Sequence, residues 1–164
     1  MLDLTDMPED LLVESTFSNL KKLKHLSLSS TNLCNGLAFL EGKSLESLWV
    51  MYCRKVSLIG LQNLRLLKEL AIESYKNIEG FEEIFALKSL RTVKLVDSSE
   101  IEGGHNFCSM DMLETLIVLG SSKFKDGNLD PAKNKFKIFN FDNKRHYSIN
   151  PDEFNEKYLV REND

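Results

Sequence analysis

The sequence predicts an α/β solenoid: a curved right-handed coil with a parallel β-sheet on its concave face and short helices or irregular segments on its convex face. Three observations predict it. One apolar pattern, in which two variable residues and then one separate three apolar ones, recurs six times, as Leu23/Leu26/Leu28, Leu45/Leu48/Val50, Leu67/Leu70/Ile72, Leu90/Val93/Leu95, Leu113/Leu116/Val118 and Phe136/Phe139/Phe141. The first members lie 22, 22, 23, 23 and 23 residues apart, a fixed period of the kind that marks stacked units. A further apolar residue closes each unit, in turn Leu33, Val56, Ile78, Ile101, Phe124 and Tyr147.

Within a unit, the second and third apolar positions are two apart, so an extended strand points both to one side and the residues between them to the other. Turn residues follow the closing position, among them Gly60, Gly80, Gly103 and Gly127, and then come segments with helix-like apolar spacing such as Phe81, Ile84 and Leu87. A connection of that length lays the next strand parallel to the last, and stacking the units buries an apolar column that no unit buries alone.

The whole chain, 1–164, reads as one domain: a degenerate N-terminal coil over 1–22, six repeats over 23–147, and a capping helix with its tail over 148–164. Leu2 and Leu4 fit the strand of the first coil, whose helix is expected to start near Pro8 and to use Leu11, Leu12 and Phe17. At the other end Asn150 precedes Pro151, Glu153 follows three residues on, and Ile149 is placed to pack on Phe154. A closing helix over about 151–160 is expected to cover the last coil with Phe154, Tyr158 and Leu159, leaving Arg161-Glu162-Asn163-Asp164 in solvent.

Runs such as Leu23-Lys24-His25-Leu26-Ser27-Leu28-Ser29-Ser30-Thr31-Asn32-Leu33 resemble the strand segment of leucine-rich repeats, and the resemblance covers essentially the whole chain. The period is similar to that of bacterial and ribonuclease-regulator-like classes, and the chain resembles small standalone bacterial members of the superfamily. The buried Asn or Cys that usually follows the strand appears here as Thr31, Cys53, Tyr75, Ser98, Ser121 and Lys144, so only the Cys53 unit matches closely. The resemblance implies a protein-binding role, with two narrower alternatives. One is an immunity or antitoxin protein that neutralises a toxin by capping it, as the ending Phe139-Asn140-Phe141-Asp142-Asn143-Lys144-Arg145-His146-Tyr147 resembles that of bacterial repeat proteins. The other is an adaptor or sensor fragment of a larger receptor.

Composition narrows the partners. With 42 % hydrophobic and 28 % charged residues the chain is ordinary for a folded domain. The formal charge of −4, from 21 Lys plus Arg against 25 Asp plus Glu, disfavours general affinity for nucleic acid or an anionic membrane. There is no signal-like start and no apolar run of the roughly 20 residues that span a bilayer. The odd number and wide spacing of Cys34, Cys53 and Cys108 suit reduced thiols, so a cytoplasmic monomer is expected, with self-association through the exposed first strand at Leu2 to Leu4 as a structural alternative.

On the concave face, the central column reads Ser27, Trp49, Ala71, Lys94, Ile117, Asn140 and the next reads Ser29, Met51, Glu73, Val96, Leu119, Asp142. Folding does not require Trp49, Met51, Val96, Ile117 or Leu119 there. Interface centres are enriched in such residues, so Trp49, Met51 and Tyr52 are the first candidate for partner contact, with Glu73, Lys94, Val96, Ile117 and Leu119 completing the face. The alternative is that they pack on one another as ordinary exposed apolar residues. Glu69, Glu73 and Asp97 are expected to pair with Lys68, Arg91 and Lys94 within the chain.

No catalytic set emerges: His25, His105 and His146 have no hydroxyl or thiol nucleophile placed beside them by the register, so no enzyme is expected. His105 and Cys108 have a spacing seen in metal sites but lack a second pair, so neither metal nor cofactor is expected and Cys108 reads as core. Gly103-Gly104 reads as a turn, since no Lys with Ser or Thr follows at phosphate-loop spacing. Lys123, Lys125, Lys133, Lys135, Lys137, Lys144 and Arg145 alternate with Phe124, Phe136, Phe139 and Phe141. Because these phenylalanines occupy the apolar positions of the pattern, they are expected to face inward rather than to stack on nucleic acid bases.

Overall fold

Extended backbone sends alternate side chains to opposite sides, and the apolar triplets use that alternation in every strand. The computed structural model describes residues 1–74, 78–98 and 100–160. In chain order its strands are β1 (Leu2–Thr5), β2 (His25–Ser29), β3 (Ser47–Met51), β4 (Val56–Ser57), β5 (Glu69–Glu73), β6 (Ile78–Glu79), β7 (Thr92–Val96), β8 (Glu100–Ile101), β9 (Thr115–Leu119), β10 (Lys123–Phe124) and β11 (Ile138–Phe141). Seven of these form one sheet in the order β1-β2-β3-β5-β7-β9-β11, with every pairing parallel. The fold is α/β with few helices.

The register matches the sequence period. Leu26 lies opposite Leu48, which lies opposite Leu70, then Val93, Leu116 and Phe139. All the triplet residues are buried, none more than 8 % exposed. Each Leu, Ile, Val or Phe so buried contributes about 1.5–3 kcal/mol relative to exposure, so these rows are the main source of stability. The closing residues make a second contact: Leu33 bridges Val56, β4 pairs with β6, and β8 with β10, all parallel.

Between strands the chain returns through short 3-10 helices, among them Leu61–Asn63, Phe81–Ala86 and Gly104–Ser109. A 3-10 turn rises about 2.0 Å per residue against about 1.5 Å in an α-helix, so it covers the return with fewer residues. Gly60, Gly80 and Gly103 precede these helices at φ 95°, 68° and 67°, in the left-handed region that glycine enters without steric cost.

The first unit departs from expectation. In place of one helix near Pro8 there is a 3-10 helix, Glu9–Leu11, followed by α1 (Glu14–Phe17). Leu12 and Phe17 enter the core, but Leu11 is 48 % exposed, because one 3-10 turn cannot aim Leu11 and Leu12 the same way. The far end follows expectation more closely. Helix α2 (Pro151–Tyr158) is capped by Asn150, whose Oδ1 accepts the Glu153 N–H at 2.9 Å. It ends before Leu159, which is extended. Phe154 is fully buried, edge-on to Phe139 and Phe141 at centroid distances of 5.1 and 5.6 Å. Tyr158, Leu159 and Ile149 pack at the margin of the core, and the expected tail 161–164 lies outside the described residues.

Behind the strands runs a ladder of small hydroxyls and one thiol. Thr31, Cys53, Ser74, Ser98 and Ser122 are buried there. Thr31 Oγ1 donates to the Ser29 carbonyl at 3.0 Å, Ser74 Oγ to the Cys53 carbonyl at 2.9 Å, and Ser98 Oγ to the Val96 carbonyl at 3.0 Å. The Ser98 N–H donates to Ser122 Oγ at 2.7 Å. The expected position Ser121 is thereby corrected to Ser122, and Ser74 fills the place expected of Tyr75, which itself lies outside the described residues. The turn after the strand varies in length, so a fixed offset from the triplet misses the residue that reaches inward. Ser121 is exposed, and Lys144 donates instead to the Gly120 carbonyl at 2.6 Å.

Substituting Ser122→Ala leaves the buried Ser98 N–H without its acceptor and is expected to cost about 1–3 kcal/mol. Ser121→Ala is expected to stay within about 0.5 kcal/mol of the wild type. Urea unfolding of the two variants checks this. Equal losses would put the ladder back at Ser121.

Candidate interaction surface

One side of the seven-stranded sheet carries the triplets and the other carries the residues between them, which form columns set by the strand register. Trp49 is paired in register with Ser27 and Ala71, Ala71 with Lys94, Lys94 with Ile117, and Ile117 with Asn140. The second column runs Ser29, Met51, Glu73, Val96, Leu119. The columns are therefore placed as expected, except that β11 ends at Phe141, before Asp142.

The candidate residues do not form a single patch. Trp49, 39 % exposed, and half-buried Met51 sit on β3, with Tyr52 in the turn beyond it, 48 % exposed. Val96, Ile117 and Leu119, all half-buried, sit on β7 and β9. Trp49 and Ile117 are three strand spacings apart, about 14 Å, and Ala71, Glu73 and Lys94 occupy the ground between them. The second patch extends to Ile138 at the start of β11, 52 % exposed, which the two columns read from sequence left out. Ile138 belongs to a third column on this face, His25, Ser47, Glu69, Thr92, Thr115, Ile138, legible from the same period.

The aromatic patch is held in place. The Trp49 indole N–H donates to Glu69 Oε1 at 3.2 Å, and Ser47 Oγ donates to the other oxygen of the same carboxylate at 3.5 Å. Tyr52 has φ 56°, a left-handed conformation that costs a bulky residue of order 1–3 kcal/mol. Its N–H nevertheless donates to the Glu73 carbonyl at 2.7 Å. The corresponding turn position after β9 is Gly120, φ 68°, for which the conformation is free.

The ion pairing differs from expectation. Lys68 and Lys24 both bond Glu46, each at 2.6 Å, while Arg91 and Lys137 flank Glu114 at 3.0 and 3.7 Å. Glu69 is taken up by Trp49 and Ser47. Asp97 accepts the Ser121 N–H at 2.8 Å and Asp142 the Gly120 N–H at 2.6 Å, so both brace turns. The reason is register: Lys24, Glu46, Lys68, Arg91, Glu114 and Lys137 all stand at the residue just before the strand and meet as neighbours one strand apart. Among the described residues Glu73 and Lys94 have no ion-pair partner. They stand as unpaired charges between the two apolar patches.

The other sites weighed from sequence take structural places. Phe124, Phe136, Phe139 and Phe141 are buried as expected, and Lys123 and Lys133 pair with Glu100 and Asp130 at 2.9 and 2.7 Å. Lys135 donates to the Met110 carbonyl at 2.9 Å. Burial pushes the half-buried Cys108 thiol up to about 11, which keeps it protonated at neutral pH. His146 donates from Nε2 to the Phe124 carbonyl at 2.7 Å. Among the described residues, no cluster of His, Cys, Asp and Glu has the makings of a metal site, and no helix is long and apolar enough to cross a membrane. No protein family, curated protein or solved structure matches the chain.

Hydrogen bonds from Lys24, and then Lys68, hold the Glu46 carboxyl down to about 2, well below its ordinary 4.5. A depressed carboxylate stabilises the fold fully above its ordinary value, and that stabilisation is lost as pH falls through about 2. The stability difference between wild type and Glu46→Gln is therefore expected to hold constant from pH 7 to near 5 and to shrink on acidification below that. Urea midpoints measured across this range test the coupling, and a difference that does not change with pH would contradict it.

Proposed function

We propose that this chain is a non-catalytic protein-interaction module, a leucine-rich-repeat solenoid that binds a protein partner on the open face of its parallel sheet. The solenoid reading rests on the period of the apolar triplets and the matching strand register. The binding reading rests on one observation above the others: Trp49 and Tyr52 stand exposed on or beside a regular sheet face, and neither belongs to the buried core. The Trp49 ring is oriented by Glu69 rather than buried, and Tyr52 occupies a backbone conformation that a glycine would occupy without strain.

A preformed face of this kind binds with little ordering cost, since its anchors are already fixed by the sheet. Trp and Tyr are the residues on which interface energy concentrates, and their truncation commonly costs about 2 kcal/mol or more of binding. Val96, Ile117, Leu119 and Ile138 supply a second apolar contact about 14 Å away, a separation that one protein surface spans. Glu73 and Lys94 between them supply opposite charges without an ion-pair partner among the described residues, a basis for selecting partners by charge pattern rather than by net charge. The unpaired Cys34, Cys53 and Cys108 favour the cytoplasm as the place of action.

The test is capture from the lysate of the source cell by the wild type beside a Trp49→Ala/Met51→Ala/Leu119→Ala variant whose melting curve matches. The wild type is expected to retain a partner that the variant loses, by a factor of about thirty or more in affinity. Equal retention by both would remove the open face from the binding site.

A further inference from the structure

The two ends of the sheet are finished differently. Beyond β11 the core is closed by α2 and the buried Phe154, whereas beyond β1 no strand lies among the described residues. The Asp6 N–H donates to the Ser29 carbonyl at 3.0 Å, which fixes the alternation along β1: Leu2, Leu4 and Asp6 turn their backbone groups toward β2. Asp3 and Thr5 turn theirs outward. Met1 is 86 % exposed, and the segment after β1 leaves Leu11 and Val13 48 % and 43 % exposed. An open strand edge beside exposed apolar residues is a template for another strand.

We propose that this edge pairs with the same edge of a second copy of the chain, antiparallel about a two-fold axis through Leu4. The register follows from the outward groups. Asp3 of each copy faces Thr5 of the other and exchanges both backbone hydrogen bonds with it, while Leu4 meets Leu4 in the close, non-hydrogen-bonded position on the axis. Leu2 and Leu4, only half covered at the margin of the core, gain a neighbour. On the open face each Asp3 carboxylate lies opposite a threonine hydroxyl and not a second carboxylate, so no like charges are opposed.

Charge selects the second copy as the occupant. Lys21 and Lys22 line a depression of about 490 Å³ with Met1 and Leu2, at the start of β1, while Asp6 follows its end and Asp10 comes in the next turn. The edge is thus basic at one end and acidic at the other. An antiparallel copy sets the basic end of each chain by the acidic end of the other, the self-complementarity a two-fold interface requires. The pairing continues the sheet across the axis and leaves the open-face columns of both copies exposed on the same side. It gives the self-association alternative at Leu2 to Leu4 a register and a symmetry, as a weak dimer in place of the expected monomer, in keeping with a contact of one short strand.

Sedimentation equilibrium of the full chain over about three decades of concentration, up to the millimolar range, tests the proposal. The average mass is expected to rise from monomer toward dimer and the association to weaken as salt is added. Thr5→Pro removes an outward N–H that bonds nothing within one copy, a place where an edge strand tolerates proline, and is expected to weaken association at least tenfold. Lys21→Glu/Lys22→Glu, at exposed positions outside the core, sets like charges against Asp6 and Asp10 of the other copy and is expected to weaken it as well and to reverse the salt dependence even if the proline variant fails to fold. A wild type that stays monomeric at every concentration would overturn the proposal, as would association that survives both substitutions unchanged.

Discussion

Parallel strands held in register are the constraint on which everything else in this molecule depends. Once Leu26, Leu48, Leu70, Val93, Leu116 and Phe139 are aligned across the sheet, the two-residue alternation of extended backbone leaves no freedom in what the opposite face displays. A slip of one residue in any strand would send its triplet into solvent and its polar residues into the core. The buried rows therefore specify the exposed columns, and the core and the proposed binding face are two consequences of one register.

Irregularity is absorbed elsewhere. The hydroxyl and thiol ladder advances by 22, 21, 24 and 24 residues from Thr31 to Ser122 while the strands remain aligned. Small side chains make this possible, since a serine or cysteine needs only a nearby carbonyl, whereas a longer side chain fits one turn geometry. The 3-10 returns and left-handed glycines adjust in the same way, each unit reaching the next strand through its own turn. The residue just after the strand is left-handed in several units, at Asp6, Ser30, Tyr52, Asp97 and Gly120, and at Tyr52 it leaves a large aromatic ring exposed.

The strands, their order and the inward or outward sense of their side chains were legible in the sequence because a period of two within a longer period is a strong signal. Membership of the ladder was not, since Ser74 and Ser122 differ from the residues a constant offset selects. The ion pairs were misread for a related reason: Lys68 is adjacent in sequence to Glu69, but it stands just before the strand, where its neighbour is Glu46, one strand away. The strand positions of Trp49, Met51, Glu73, Lys94, Val96, Ile117 and Leu119 were legible from the period. Its division into two patches, and the part played by Ile138 and Glu69, became visible only with all three columns side by side.

The proposed role places recognition on the face that the core cannot use and leaves the 3-10 side, with Phe81 and Phe85 at its surface, to hold the units together. Hydroxyl-radical footprinting of the chain alone and with its captured partner measures this directly, because Trp, Met, Tyr and Phe side chains are the most reactive toward the probe. Protection of Trp49, Met51, Tyr52 and Leu119, with Phe81 and Phe85 unchanged, is the predicted result. Protection confined to Phe81 and Phe85 would place the partner on the opposite side of the molecule and contradict the account.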